Sequence, residues 1–308
     1  MLLRRACPFM EHPHPVLFSV PSSPMPPSGE TGTFRTHDGL SLATRRWTPS
    51  AAPEAHVLLV HGYAEHCGRY DHVATALTEQ GAAVHAYDQR GHGRSDGRRA
   101  YVDRFEQYLA DLDAFRLHVA PLEDKPVFLF GHSMGGLVTV LYVLNRRPHV
   151  DGLLLSAPAI EVNPDLAPVL RRMAQALGRV APTLPTVRSP QGSISRDPAV
   201  LEDARNDPLN YHGRTLARTG AELLRAGNDA QCRLHELTIP FLVFHGTADP
   251  LVSPAGSRHL HERAAAPDKT LKLYDGLYHE TFNEPERERV LGDVSTWLAE
   301  RLPTDPAR

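Results

Sequence analysis

The chain has 308 residues, 22% of them charged and 41% hydrophobic, the values of one large α/β domain with room for a sizeable core. Its formal net charge is −3 and no long run of Lys or Arg occurs, so it lacks the electrostatic footprint of a nucleic-acid-binding protein. Three cysteines, Cys7, Cys67 and Cys232, show neither CxxC nor zinc-finger spacing, which argues against a disulfide framework or structural metal and suits a reducing cytoplasm.

Residues 1–30 hold seven prolines from Pro8 to Pro27, a density that removes backbone donors and predicts a disordered tail. Arg4 and Arg5 are followed by no apolar stretch of signal-peptide length before His12 and Pro13, and no segment is long enough to span a bilayer. Met10 and Met25 are alternative starts. From Thr31 the pattern becomes regular, with a strand, the turn pair Asp38-Gly39 and a second strand through Leu42 and Trp47, read as a hairpin.

Short apolar runs then alternate with helical stretches. Val57–Val60, Ala83–Tyr87, Val127–Phe130, Leu153–Leu155, Phe241–Phe244 and Leu271–Tyr274 read as strands buried on both faces. Alternating strand and helix implies a mostly parallel central sheet with helices on both faces, an α/β fold. Residues 159–237 break the alternation and read as an inserted helical cap between core segments 31–158 and 238–308. Within it Leu166, Val169, Leu170, Met173, Leu177 and Val180 form an apolar stripe, and Leu216, Gly220, Leu223 and Leu224 suggest another helix. Such a stripe either packs the cap onto the core, or part of it lines an acyl channel or touches lipid.

The chemistry centres on Gly131-His132-Ser133-Met134-Gly135-Gly136, placed between the strand ending at Phe130 and the helical run 137–144. A strand that reverses sharply into a helix brings the residues two before and two after the apex together, so glycine is needed at both. The apex serine is held exposed, but its hydroxyl is a weak nucleophile without a base, and the base needs a third group to set its tautomer. In this arrangement the partners follow in the order serine, acid, histidine. Asp249 lies on the loop after Phe241–Phe244 and His279 on the loop after Leu271–Tyr274, both at strand carboxyl ends. The oxyanion donors expected are the backbone N–H of Met134, at a helix start, and that of Tyr63, in the His61-Gly62-Tyr63 bend.

With these residues assembled, the chain resembles a monoacylglycerol lipase of the bacterial type, an α/β-hydrolase. The stretches that carry the resemblance are HGYAEHCGRY at 61–70, DQRGHGRSDG at 88–97, GHSMGG at 131–136, SRDP at 195–198, NDPL at 206–209, HGTADPLV at 245–252 and GLYHETFNEPER at 276–287. It covers about residues 31–301. The resemblance implies a Ser133–Asp249–His279 triad, oxyanion donors at Tyr63 and Met134, and a cap acting as a lid over an acyl tunnel. It also implies that Glu65 and Arg69 shape the glycerol end of the pocket. Some relatives have a cap tyrosine and a second histidine where this chain has Ala204 and Phe282, so Phe282 is expected to replace a polar headgroup contact with an apolar one.

The expected function is hydrolysis of monoacylglycerols through an acyl-enzyme, with no cofactor and no metal. The expected partner is a single-chain lipid ester, with transient membrane or micelle contact through the cap and no nucleic acid. Location should be cytoplasmic, with peripheral membrane contact. Alternatives are a broader carboxylesterase or lysophospholipase, a haloperoxidase-like use of the triad, and a ligand-binding protein without catalysis. The DQRGHGRSDG loop is expected to brace the site rather than react. Neither HExxH nor a comparable ligand set occurs among the 18 histidines.

Overall fold

The computed structural model describes residues 29–120, 122, 125–161, 167–188 and 192–303. Residues 1–28 and Leu166 of the cap stripe lie outside them. The first strand, β1 (Glu30–Arg35), starts one residue inside the expected tail and pairs antiparallel with β2 (Ser41–Trp47). Gly39 turns the hairpin at a φ of 88°, a left-handed conformation that disfavours a side chain.

The other strands are β3 (Ala55–Val60), β4 (Ala82–Tyr87), β5 (Val127–His132), β6 (Gly152–Ser156), β7 (Phe241–Gly246) and β8 (Lys269–Tyr274). They form one sheet in the order β1-β2-β4-β3-β5-β6-β7-β8, parallel from β4 through β8. Each strand read from an apolar run is present and extends one or two residues beyond that run, because the ladder is made by backbone groups and continues whatever the side chain. β3 to β7 are buried along their whole length.

Period-two geometry divides their side chains between two cores. Leu58, Val60, Leu129, Leu153, Leu155 and Val243 face α2 (Glu106–Val119) and α3 (Met134–Arg146). Val57, Leu59, Phe128, Phe130, Leu154 and Phe244 face α1 (Asp71–Glu79) and the C-terminal helix Arg287–Ala299. A sheet covered on both faces leaves its strand ends as the place for a site, which is where the chemistry-bearing loops emerge.

Between β6 and β7 the described residues contain three α-helices, a short 3-10 turn at Leu234–Glu236 and no strand, apart from an isolated bridge between Pro185 and Leu216. The helices are α4 (Pro168–Val180), α5 (Pro198–Asn206) and α6 (Ala217–Arg233), followed by α7 (Pro254–Arg263) after β7 and α8 (Arg287–Ala299). α4 packs closely on α6: a Cβ on Gly178 would come 2.7 Å from that of Ala221. The α4 stripe does not pack the cap onto the core. Val169, Met173 and Val180 are 62%, 61% and 81% exposed, while Leu177 and Leu170, the latter itself 47% exposed, line the cavity beneath.

Candidate active site

Ser133 joins β5 to α3 with φ 53° and ψ −117°, a conformation that L-residues seldom adopt and that stores strain at the turn. Its surroundings explain the glycines. A Cβ on Gly131 would sit 2.6 Å from Thr139 Oγ1 and 2.7 Å from the Gly135 carbonyl oxygen. One on Gly135 would collide with the carbonyl oxygens of Val60 and His61. The turn is held by the Ser133 amide donating to Ser156 O at 2.9 Å and by Ala159 N donating to Ser133 O at 2.9 Å.

His279 and Ser133 line one cavity. His279 Nδ1 donates to Asp249 Oδ2 at 2.6 Å, which leaves Nε2 as the nitrogen available to a substrate or serine proton. Asp249 also accepts from the amides of Leu251 and Val252 on Oδ1 and from His245 on Oδ2. Burial would raise the Asp249 pKa, yet His279 and these hydrogen bonds hold it well below the usual carboxylate range. Burial likewise pulls His279 down, and the Asp249 charge outweighs it, so the net shift is upward.

The loop after β3 approaches Ser133 closely, since a Cβ on Gly62 would lie 3.3 Å from that of Ser133. Tyr63 and Met134 both line the cavity, and Met134, as the first residue of α3, has an N–H with no intrahelical acceptor. This loop is tied down from behind. His61 donates from Nδ1 to Gly62 O at 2.7 Å and accepts on Nε2 from Gln89 N at 2.9 Å, and Gln89 Nε2 donates to His61 O. The DQRGHGRSDG loop therefore braces the site, as expected.

Glu65 and Arg69 reach the cavity wall, but their polar atoms are committed inward. Glu65 Oε1 accepts from Gly62 N at 2.6 Å and Tyr70 Oη at 2.7 Å, and Oε2 accepts from Arg69 at 2.8 Å. Arg69 makes a second, bidentate pair with Glu280 at 2.7 Å on both oxygens. Burial opposes ionisation of Glu280, but Arg69 holds its pKa down at about 2. Phe282, expected at the headgroup, does not reach the cavity. It is 1% exposed and packs against Tyr70, Phe130 and His132, because the short helical turn Thr281–Asn283 aims it into the core. Ala204 does line the cavity.

The sequence reading missed Glu280 and His245, although both sit inside stretches quoted for the resemblance; pairing across loops is not visible in one dimension. It also missed how the cap is latched. Asp207 accepts from His66 at 2.7 Å and Tyr211 N donates to Ala64 O, which tie residues 207–211 to the loop after β3. Ser195 Oγ donates to Asn283 O and Glu280 N donates to Ile194 O, which tie the SRDP stretch to the His279 loop.

The cavity has a volume of about 730 Å³ and runs from Ser133 under the cap between Leu170, Leu177, Leu223 and Leu224. Its size suits one small ligand and its far walls are apolar. A second hollow of about 520 Å³, lined by Arg116, Lys125, His149 and Asp151, touches none of these residues.

A chain with this elbow, sheet and cap has counterparts among known proteins. Residues 51–286 match the family model described as "Hydrolase_4: Serine aminopeptidase, S33". The chain is 40% identical to a monoacylglycerol lipase of Mycolicibacterium smegmatis over 88% of its own length and 97% of the relative's. The chain belongs to the monoacylglycerol lipase family of α/β-hydrolases. It is also 37% identical to the monoglyceride lipase of Rattus norvegicus, covering 88% of this chain and 91% of that one. The crystal structure of Paleococcus ferrophilus monoacylglycerol lipase superposes with a TM-score of 0.76 at 30% identity, over 84% of this chain and 99% of that one. Membership makes the chain a carboxylic ester hydrolase of the serine hydrolase type. No helix among the described residues is long and apolar enough to cross a membrane.

Proposed function

We propose that the chain hydrolyses monoacylglycerols to fatty acid and glycerol, with Ser133 as nucleophile, His279 as base and Asp249 orienting the base. Ser133 Oγ attacks the ester carbonyl as His279 Nε2 takes its proton, and the developing oxyanion lies against the N–H groups of Tyr63 and Met134. His279 then protonates the leaving glycerol. Water, deprotonated by the same imidazole, attacks the acyl-enzyme and releases the acid.

The observation that carries this reading is the capped cavity running from Ser133 into apolar walls. It has room for one acyl chain. A second chain must stay in water, and at about 0.8 kcal/mol per CH₂ that forfeits several kcal/mol of binding. At the polar end Glu65, Arg69 and Glu280 carry a formal charge of −1, from one cation and two anions, which disfavours a lysophospholipid phosphate.

We read residues 159–237 as the lid, and its outer face supports transient contact with lipid. Exposed Val169, Met173, Val180, Leu184 and Val187 lie in a segment, 167–196, that holds five arginines and no acidic residue. A cytoplasmic location rests on the cysteine spacing.

The test is kcat/KM for a monoacylglycerol, its diacyl counterpart, a lysophospholipid and a p-nitrophenyl ester of the same chain. The monoacylglycerol should exceed the diacylglycerol by orders of magnitude. Comparable rates on these two would overturn the single-chain reading, and a faster lysophospholipid would replace the substrate class.

A further inference from the structure

Asp249 does not serve His279 alone. Its Oδ2 accepts from His279 Nδ1 at 2.6 Å and from His245 Nε2 at 2.8 Å. His245, near the end of β7, is fully buried, and its Nδ1 lies 2.7 Å from the Oγ of Ser257, a fully buried residue of α7. The hydrogen on the ring can be placed by what each nitrogen faces. Nε2 faces two acceptors, Asp249 Oδ2 and the Val252 carbonyl at 3.2 Å, so Nε2 carries it. In the neutral ring Nδ1 is then the acceptor and the Ser257 hydroxyl its donor. A continuous chain Ser257–His245–Asp249–His279 runs from α7 across the end of β7 to the loop after β8.

We propose that His245 is a positioning residue for the hydrolysis: by donating to the same carboxylate oxygen that His279 uses, it holds that oxygen in place and limits the charge Asp249 can turn on the base. The proposal rests on the reading of Ser133, His279 and Asp249 as a triad. In a water-poor site an undivided carboxylate oxygen stabilises an adjacent imidazolium more than a shared one does. A base made too strong stays protonated at working pH and cannot accept the serine proton. His279 is also faced by the His132 ring from β5, with centroids 4.7 Å apart, by Glu280 from its own loop and by Glu65 from the loop after β3, with Arg69 bridging both glutamates. Of these groups His245 bonds only Asp249, so its effect on the base must pass through that carboxylate.

The experiment measures kcat and KM against pH on a soluble p-nitrophenyl ester for wild type, His245→Leu and His245→Gln, each with Asp249 and with Asp249→Asn. Circular dichroism and the cooperative melting amplitude correct every preparation for folded enzyme. His245→Leu should move the acid limb of kcat upward by roughly half to one pH unit, the scale of one hydrogen bond. It should also lower plateau kcat about tenfold, leaving KM nearly constant, as a small misplacement of the base does. His245→Gln, whose amide N–H can reach the same oxygen, should recover most of both effects. With Asn at 249 the change at 245 should add nothing, because its target is gone. Should His245→Leu fail to fold, Ser257→Ala, which frees the His245 tautomer, should shift the limb in the same direction by less. An unmoved or lowered limb, or an equal loss with and without Asp249, overturns the proposal. Near-wild-type activity of Asp249→Asn alone is a different result and overturns the triad reading beneath it.

Discussion

The Gly62 amide donates to Glu65 Oε1 across 2.6 Å, so a carboxylate three residues beyond the glycine of the bend is what holds the loop after β3 against Ser133. Glu65→Ala removes this acceptor together with those of Tyr70 and Arg69. Turnover should fall by about 10²-fold, the scale of losing one oxyanion donor. Stability should drop by up to about 3 kcal/mol, because Glu280 still pairs Arg69. The check is kcat on a monoacylglycerol and on a p-nitrophenyl ester. Equal losses support the loop-holding role, whereas a loss confined to the glycerol ester would return Glu65 to headgroup recognition.

Ser133→Ala and His279→Ala should each remove nearly all turnover, on the order of 10⁴-fold or more, since nucleophile and base act as a unit. Ser133→Gly should be equally inactive and more stable than Ser133→Ala by about 1 kcal/mol, because glycine accepts the φ of 53° without strain. Steady-state rates and melting curves on the three variants decide both points. A tenth of wild-type activity in Ser133→Ala would remove the nucleophile assignment.

Val169→Glu or Met173→Glu should weaken hydrolysis of emulsified monoacylglycerol at least several-fold and spare a soluble short-chain ester, because both side chains face outward. Leu177→Glu, which faces the cavity, should impair both substrates. If Val169→Glu lowered both rates equally, the outer stripe would have a structural rather than an interfacial role.

Stability should decline with acid before the carboxylates titrate. Burial is the main cause that lowers the pKa of His61 and His132 to about 4 and of His85 and His92 to about 3. A histidine whose folded pKa lies below its unfolded value takes its proton in the unfolded chain first. From about pH 6.5 down to 4.5 the unfolded state therefore holds more protons, and stability falls by about 1.4 kcal/mol per pH unit for each such histidine. His279 is shifted upward, so it adds stability only as pH falls toward 6.5 and nothing further below. Asp249 and Glu280 are shifted downward and lose their contribution only below about pH 4.5. Urea unfolding at pH 7, 6 and 5 isolates the histidines. A constant midpoint over that range would assign acid lability to the carboxylates instead.

What the sequence determined by itself is whatever depends on local pattern. The hairpin at Asp38-Gly39, the short buried strands, the helical insertion and the Gly131–Gly135 elbow are set by period and by the steric needs of neighbouring residues, and each is readable along one dimension. The order Ser133, Asp249, His279 at the ends of β5, β7 and β8 is legible for the same reason, because the ends of parallel strands share one edge. Only the tertiary structure decided which polar groups face substrate and which face one another. Glu65 turns its charge on the Gly62 amide and Arg69 on Glu280, Phe282 turns into the core, and Asp249 divides one oxygen between His279 and His245. The α4 stripe splits in the same way, with Leu170 and Leu177 toward the cavity and Val169 and Met173 toward solvent. A helical period places residues on one side of a helix, but which part of that side is covered depends on a partner helix more than forty residues along the chain. Burial and pairing are properties of chain segments distant in sequence, and no local spacing encodes them.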